Sequence, residues 1–360
     1  MTSPDLARER QALRLASRSL AGHGPEHPAA ELERVAAHIR EHDIRADVYG
    51  TGAVLADFEA EVAALFGKPA ARYMPSGCMA QPIALRIWAE RKSLFTTAFH
   101  ATSHLELHEE HGYTALHGLE AHLLGDPARP TLAHDLEGLP ALSSLLIELP
   151  AREIGGQLPT WDELVELAGT TRAAGVKLHL DGARIWEAAA AYGRPLDEIG
   201  ALFDSIYVSF YKGIGALAGA MLLGPADFIS EATTWQRRQG GTLYSNLAHI
   251  VSAKMRLAPM LQRMPLFHAR AKQIAKLWSA QPRVQVLPDP PQTNMFHIHI
   301  EGDTDGLLLA RDRVARDTGI WLFGGLRNLG ATANTELAMG EASLTLDDAD
   351  VAAAIDSLLQ

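Results

Sequence analysis

The sequence has little cysteine and no long apolar run. Cys78 is the one cysteine among 360 residues, so an internal disulfide bond is excluded and a reducing cytoplasm is favoured. No run of about 18 apolar residues is present, so the sequence predicts no transmembrane helix and no membrane partner. The N-terminal segment also lacks an apolar core followed by a small-residue cleavage site, which argues against a secretory signal.

Positive charge is also in short supply. The chain has 32 lysines and arginines against 43 acidic residues, a formal net charge of −11, which argues against nucleic acid as the main partner. Its length and its 47% hydrophobic content are enough for a large core and two domains. We expect an N-terminal arm (1–45), a large domain (46–255) and a small C-terminal domain (256–360).

Several helices are marked by their ends. Thr160 followed by Glu163 forms a capping-box pattern, which predicts a helix over 161–174. Asp347 is in position to cap a last helix over 348–359. Neither pattern carries chemistry, but both help to place the elements around the site.

The most informative stretch is 177–224, where two short strands are each followed by a charged residue. Residues 176–180 alternate apolar and polar side chains, and Asp181 follows. Residues 206–210 repeat the pattern, and Lys212 follows beside two glycines. The intervening segment is long enough for a helix and a return strand. We therefore predict two neighbouring parallel strands that present both charges at one sheet edge, where open α/β sheets bind ligands.

This pair of charges suits a pyridine cofactor. Pyridoxal phosphate is held as a Schiff base on a lysine, and an acid beside its ring nitrogen keeps that nitrogen protonated and electron-withdrawing. The alternative is a helix-capping Asp181 and a solvated Lys212. However, Lys212 lies in the apolar, glycine-rich run YKGIGALAGAMLLG, where a surface lysine is unusual. The sequence therefore favours Lys212 as the cofactor lysine.

The segments HLDGARIWEAAAAYG and SFYKGIGALAGAMLLG resemble the cofactor segments of the L-threonine aldolases, in the β-eliminating lyase group of fold-type I PLP-dependent enzymes. The resemblance implies an α/β, PLP-dependent transferase-like fold, with a mostly parallel sheet in the large domain and a smaller C-terminal α/β domain. It also implies pyridoxal 5'-phosphate as cofactor, an amino acid as substrate, and a homodimer or homotetramer. The implied reaction cleaves a β-hydroxy-α-amino acid to glycine and an aldehyde.

A phosphate site is predicted where a short strand at 71–74 is followed by Ser76, Gly77 and Cys78 and a helix begins. Exposed amides at a helix N-terminus bind phosphate, and glycine permits a close approach. The resemblance places these three residues at the cofactor, with Cys78 where the aldolases usually have threonine.

Two further phosphate contacts are implied by the resemblance. Tyr49 lies in the motif DVYG, and Arg237 or its neighbour Arg238 lies in a basic loop. In the family such residues reach a phosphate across the dimer interface. A packing tyrosine and two solvated arginines are the alternatives.

The stretch 94–118 is rich in histidine and permits two interpretations. His100, His104 and His108 are spaced by four, as in a helical metal site, and Glu109 is close to them. The resemblance instead implies that His104 stacks on the pyridine ring. We predict the stacking role for His104 and no metal site.

The residues assigned to substrate binding are implied by the resemblance. Arg327 matches the arginine that binds the α-carboxylate, where a planar guanidinium suits a bidentate contact. Arg184 is implied near the cofactor and the same carboxylate, and Ser17 is assigned to substrate binding. Glu153 stands where the aldolases usually have a histidine that contacts the substrate hydroxyl, which leaves the substrate and its Cβ stereochemistry open.

The base that removes the hydroxyl proton is also open at this point. His104, Glu153 or a water held between them could serve. Another PLP-dependent β-eliminating lyase or an aminotransferase would share Asp181 and Lys212. From different classes, a metal hydrolase would use the histidine cluster, and a cofactor-binding protein would catalyse nothing.

Overall fold

The computed structural model describes Leu13, residues 16–24 and residues 26–360. Its helices are, in chain order, α1 (Pro28–Glu41), α2 (Ala53–Leu65), α3 (Gly77–Lys92), α4 (His104–Leu107), α5 (Gly112–Ala115), α6 (Trp161–Ala173), α7 (Ile185–Tyr192), α8 (Leu196–Gly200), α9 (Ala226–Arg238), α10 (Leu247–Ser279), α11 (Thr304–Thr318) and α12 (Asp348–Leu359). Its strands are β1 (Arg18–Ser19), β2 (Ala70–Met74), β3 (Thr96–His100), β4 (Glu120–Leu124), β5 (Ser144–Glu148), β6 (Lys177–Gly182), β7 (Ser205–Ser209), β8 (Ala220–Gly224), β9 (Val284–Leu287), β10 (Met295–Glu301), β11 (Ile320–Trp321), β12 (Arg327–Asn328) and β13 (Thr332–Ala338). Short 3₁₀ turns cover Ala133–Leu136, Arg152–Ile154 and Glu341–Thr345. Within the described residues, no helix is long and apolar enough to cross a membrane.

The chain divides into two compact units. The larger unit is Pro28–Gln262, and the smaller unit contains the described residues up to His27 together with Arg263–Gln360. The whole of the predicted large domain (46–255) lies in the larger unit. The predicted arm (1–45) is divided between the units, because α1 belongs to the larger one.

A seven-stranded sheet forms the centre of the larger unit, in the order β2-β8-β7-β6-β5-β3-β4. The strands β4, β3, β5, β6 and β7 are parallel to one another, whereas β8 runs antiparallel to both β7 and β2. The predictions of a mostly parallel sheet and of neighbouring parallel strands before Asp181 and Lys212 are confirmed. Asp181 lies inside β6 rather than after it, opposite Tyr207 of β7.

Helix α3 packs against both this sheet and α9, which fixes the position of its N-terminus. Trp88 stacks on Phe228 of α9 with ring centroids 4.7 Å apart, and its Nε1 donates to Ser205 Oγ at 2.8 Å. Burial of side chains of this size contributes roughly 1.5–3 kcal/mol each. At the first residue of the helix, a Cβ on Gly77 would overlap the Tyr207 hydroxyl, so that only glycine permits this contact between helix and strand.

Of the two helix caps predicted from the sequence, one is present in the structure. Thr160 Oγ1 accepts from the Glu163 amide at 3.3 Å, and a Glu163 carboxylate oxygen accepts from the Thr160 amide at 2.7 Å, so the predicted capping box is confirmed. Asp347 stands at the N-cap of α12, but its side chain makes no capping hydrogen bond, and that prediction is wrong.

The smaller unit contains an antiparallel four-stranded sheet, β12-β13-β10-β9, and a parallel pair of short strands, β1 and β11. Helix α11 carries Arg311, which is 1% exposed. Its guanidinium donates to Asp312 Oδ1 at 2.6 Å and to the Gly324 carbonyl, and its centre lies 4.0 Å from the Trp321 ring centroid. The buried charge is therefore matched within its own unit.

Candidate active site

The carboxylate of Asp181 is fixed from two directions. Asp181 is 1% exposed, its Oδ2 accepts from Gln81 Nε2 at 2.9 Å, and its Oδ1 accepts from the Ala183 amide at 3.1 Å. Gln81 itself is buried on α3. The sequence analysis missed Gln81, although a polar residue inside the apolar run of this helix was a signal for it.

Lys212 follows β7 in a half-buried position. Burial and the positive charge of Arg184 lower the pKa of Lys212, while the charges of Asp181 and Glu148 act in the opposite direction. The Nζ atom lies 5.5 Å from the ring centroid of Tyr211. A lower pKa increases the share of neutral amine, which is the nucleophilic form.

A second carboxyl, Glu148, ends β5 directly opposite Asp181 of β6. Burial and the negative charge of Asp181 raise the pKa of Glu148 to about 8, whereas Arg184 and Lys212 oppose this. One of its oxygens accepts from the Arg152 amide at 3.3 Å. Sequence reasoning missed Glu148, whose signal was an acid at the end of the apolar strand SLLIEL.

A third carboxyl, Glu187, lies on α7 and is 3% exposed. Its Oε2 has no hydrogen-bond partner in the described part of the chain. Burial raises the pKa of Glu187 to about 7, although Arg184 and Lys212 lower it. A Cβ on Gly213 would overlap Glu187 Oε1, so the carboxyl rests against the backbone next to Lys212. Glu187 was also missed, and its signal was a single charge in the run IWEAAAA.

Cys78, His104 and Glu109 form one cluster. His104 Nδ1 lies 2.8 Å from Glu109 Oε1, and the ligand atoms of all three residues lie within 4.8 Å of one another. Desolvation of part of the thiol and the charge of Glu109 raise the pKa of Cys78 to about 11. The charge of Lys212 opposes this rise, so the cluster is within electrostatic reach of Lys212.

His108 and Glu153 form a neighbouring pair. His108 Nε2 lies 2.9 Å from Glu153 Oε1, which also accepts from Arg152 Nη1 at 2.9 Å. The His104 and His108 ring centroids are 5.0 Å apart. The two sequence-predicted candidates His104 and Glu153 are thus connected through His108, which the sequence analysis left without a role.

The remaining histidines of the stretch have separate partners. His100 Nδ1 lies 2.7 Å from Thr102 Oγ1, and its Nε2 lies 2.9 Å from the Asp126 carbonyl oxygen. His117 Nε2 lies 2.7 Å from Gln239 Nε2. His100 and His117 therefore bind partners other than His104, despite the regular spacing of the histidines in the sequence.

The predicted phosphate residues lie in three places on the larger unit. Ser76 precedes α3 in an extended conformation, and its side chain does not cap the helix. Tyr49 is 61% exposed, its amide donates to the Tyr244 carbonyl at 2.9 Å, and the two rings meet edge to face at 5.4 Å. Arg237 is exposed at the end of α9, whereas the guanidinium of Arg238 lies 4.7 Å from the Trp235 ring centroid.

The predicted substrate residues are divided between the units. Arg184 is the N-cap residue of α7 in the larger unit. Arg327 is exposed at the start of β12, opposite Asn334, in the smaller unit. Ser17 is also exposed there, and its amide donates to the Gly319 carbonyl at 3.0 Å.

The larger unit fits pyridoxal phosphate. A buried, immobilised Asp181 with Glu148 beside it favours a positive charge such as a protonated ring nitrogen. Lys212 has the lowered pKa that a covalent attachment needs. The amides at the start of α3 are suited to a phosphate.

Comparisons with known proteins show the family of the chain. The family model described as "Beta-eliminating lyase" matches residues 27–301. An aldolase of Penicillium aethiopicum, vrtJ, is 31% identical over 280 residues, which cover 74% of this chain and 69% of that protein.

Solved structures extend the likeness over the whole fold. A protein from Exiguobacterium sp. 255-15, described as a candidate aromatic amino acid β-eliminating lyase/threonine aldolase, has a TM-score of 0.94 at 38% identity, covering 98% of this chain and 99% of that one. A candidate L-allo-threonine aldolase from Listeria monocytogenes EGD-E has a TM-score of 0.93 at 38% identity, covering 98% of both chains. The resemblance seen in the sequence is confirmed: this chain belongs to the β-eliminating lyase family and is a pyridoxal-phosphate-dependent lyase of fold type I.

Proposed function

We propose that this enzyme cleaves a β-hydroxy-α-amino acid to glycine and an aldehyde, as a threonine aldolase does. The observation that carries the proposal is the buried Asp181–Gln81 pair beside Lys212, at the carboxyl ends of two parallel strands. The described activities of the similar proteins from Penicillium and Listeria support the aldol reaction.

The cofactor would be held by residues of the larger unit. Pyridoxal phosphate supplies, when bound, an electron sink for the pair released at Cα. Asp181 would hold the proton of the ring nitrogen, and Lys212 would be the attachment point. His104 would stack on the ring and Arg184 would lie near its oxygen. The phosphate would be bound by Ser76, Gly77, Cys78, Tyr49 and Arg237.

The substrate would be oriented by its carboxylate. Arg327, with Arg184 and Ser17 assisting, would bind the carboxylate and turn the Cα–Cβ bond out of the ring plane. Removal of the hydroxyl proton then allows that bond to break. The candidates for this base from the sequence are His104, Glu153 and a water held between them.

We also propose a cytoplasmic homodimer or homotetramer. Tyr49 and Tyr244 pack together while remaining 61% and 67% exposed, which suits a surface covered by a second copy. Light scattering on the purified holoenzyme tests the assembly: a monomer would contradict it.

The reaction is tested with the holoenzyme and a substrate panel. Threonine, allo-threonine and phenylserine should release glycine and the matching aldehyde. Serine and tyrosine test the competing β-elimination, which would release pyruvate and ammonia, and added 2-oxo acids test amino transfer. Pyruvate release without any aldehyde would overturn the aldolase proposal in favour of elimination.

A further inference from the structure

Two histidine–glutamate pairs lie side by side in the site. His104 is bonded to Glu109, and His108, one helical turn further along, is bonded to Glu153. The two imidazole centroids are 5.0 Å apart and their planes are tilted by 49°. The pairs are similar in chemistry and in exposure, and their other contacts distinguish them.

Glu153 is better placed as a partner than as a base. Its Oε1 accepts from both His108 Nε2 and Arg152 Nη1, each at 2.9 Å, and its side chain is 7% exposed. Both contacts stabilise an ionised carboxylate. The His108 side chain, by contrast, is 33% exposed and can be reached by a substrate.

Both pairs belong to groups that interact electrostatically with Lys212. The charge of Arg152, which binds Glu153, contributes to the lowered pKa of Lys212. On the other side, His104 and Glu109 are clustered with Cys78, whose ionisation depends on the charge of Lys212. His108 therefore contacts a member of each of two groups, Glu153 with Arg152 and His104 with Glu109 and Cys78, that interact electrostatically with Lys212.

His104 is less suited to act as the base. Its Nδ1 is held by Glu109, whose side chain is 3% exposed. In the function proposed above, the His104 ring would stack on the cofactor. The His108 ring is tilted by 49° from the His104 ring, so the two imidazoles present their nitrogens in different directions.

We propose that His108, oriented by Glu153, is the base that removes the β-hydroxyl proton, an inference that rests on the aldolase function proposed above. With Nε2–H donated to Glu153, Nδ1 of His108 has the lone pair that accepts the proton. The O–H electron pair forms the aldehyde C=O bond, and the pair of the broken Cα–Cβ bond passes to the Cα side. One proton is later added at Cα, so cleavage needs no external acid or oxidant. Glu153 is a positioning residue that stabilises the imidazolium, and Arg152 fixes Glu153.

The test compares two activities of the same holoenzyme. Aldehyde release from a β-hydroxy amino acid needs the proposed base, whereas exchange of the glycine α-protons with D₂O needs the cofactor and Lys212 but no hydroxyl. His108→Gln should lower kcat for aldehyde release by about 100-fold or more. Its KM, its glycine exchange rate followed by NMR and its cofactor absorption band should stay as in the wild type. Glu153→Gln should show the same pattern with a smaller loss of kcat.

His111→Gln is the matched control, because His111 has a 60% exposed side chain and its contact with Glu106 is 3.6 Å long. It should leave both activities unchanged. A wild-type kcat in His108→Gln, or a loss of glycine exchange equal to the loss of cleavage, would remove His108 from the chemistry while the aldolase function stands. A wild-type enzyme that exchanges glycine but releases no aldehyde from any member of the panel would overturn the aldolase function, and the base assignment with it.

Discussion

The two units differ in whether their buried charged side chains are paired with groups of opposite charge. In the smaller unit, Arg311 is matched by Asp312, and Arg270 donates to Asp348 and to the Ser343 and Leu346 carbonyls. At the carboxyl edge of the seven-stranded sheet, Glu148 and Glu187 both have raised pKa values.

The paired arginines of the smaller unit and the buried carboxyls of the larger unit therefore have different roles: the first belong to the fold, and the second belong to a site that binds a ligand. Removing one partner of a buried ion pair leaves an uncompensated charge and strongly destabilises the fold. Buried carboxyls with raised pKa values destabilise the fold when they ionise, and such groups cluster at functional sites. The carboxyl edge of β5, β6 and β7 therefore has an electrostatic imbalance that a cationic cofactor ring would reduce.

The largest effect is expected from Lys212→Ala, which removes the reactive amine at the carboxyl edge of β5, β6 and β7. The variant should lose catalysis, because no other group can replace the amine as the attachment point. In the wild type, borohydride should fix the cofactor to Lys212, as mapped by mass spectrometry. Lys177→Ala is the control, since Lys177 pairs with Asp204 at 2.7 Å near the opposite end of β6. A borohydride adduct on a lysine other than Lys212 would contradict the assignment.

Arg311→Ala tests the paired buried charges of the smaller unit. It leaves Asp312 buried beside an empty space, and we expect a loss of about 3–5 kcal/mol in the free energy of unfolding. Denaturant unfolding of the variant measures this loss. Arg313→Ala, at an exposed position of the same helix, should change stability by less than about 0.5 kcal/mol. Equal losses in the two variants would show that the matched pair adds nothing.

Glu187→Gln should change how stability depends on pH. The carboxyl has a pKa of about 7 when folded and 4.5 in an unperturbed state, so its protonated form stabilises the protein fully below pH 4.5. That contribution, up to about 3 kcal/mol, is lost as the pH rises through 7. The variant cannot ionise, so its stability relative to the wild type should increase from pH 5 to pH 8. An identical slope in both proteins, with exposed Glu33→Gln as the reference, would contradict this.

The smallest effect is expected from Thr160→Ala, which is outside both regions. Loss of the capping hydrogen bond at the start of α6 should cost about 1 kcal/mol of unfolding free energy. The cofactor absorption band should stay the same. A changed band would mean that α6 is coupled to the site.

The sequence alone was enough to predict the structural features that depend on residues close together in the chain. The capping box at Thr160, the strands before Asp181 and Lys212, and their parallel pairing all follow from local patterns and from the length of the connection. The missing side-chain bond of Asp347 shows the limit, because a residue can stand at a cap position without forming the hydrogen bond.

The site residues that were missed depend on distant parts of the chain. Gln81 gains its role only when α3 packs beside β6, and Glu148 only when β5 lies in register with Asp181. The contact between His108 and Glu153 joins segments 45 residues apart. A rule that treats every charge or amide inside an apolar run as a candidate would have found Gln81, Glu148 and Glu187.

The thiol of Cys78 has a consequence for the product. An aldehyde is an electrophile that a thiolate captures, and Cys78 is exposed beside His104 and Glu109. With a pKa of about 11, only about one molecule in ten thousand carries the thiolate at pH 7. The sulfur is therefore slow to add to a departing aldehyde, and slow to react with alkylating agents and peroxide. Desolvation and Glu109 together thus keep the thiol in the protonated form, which does not trap the product.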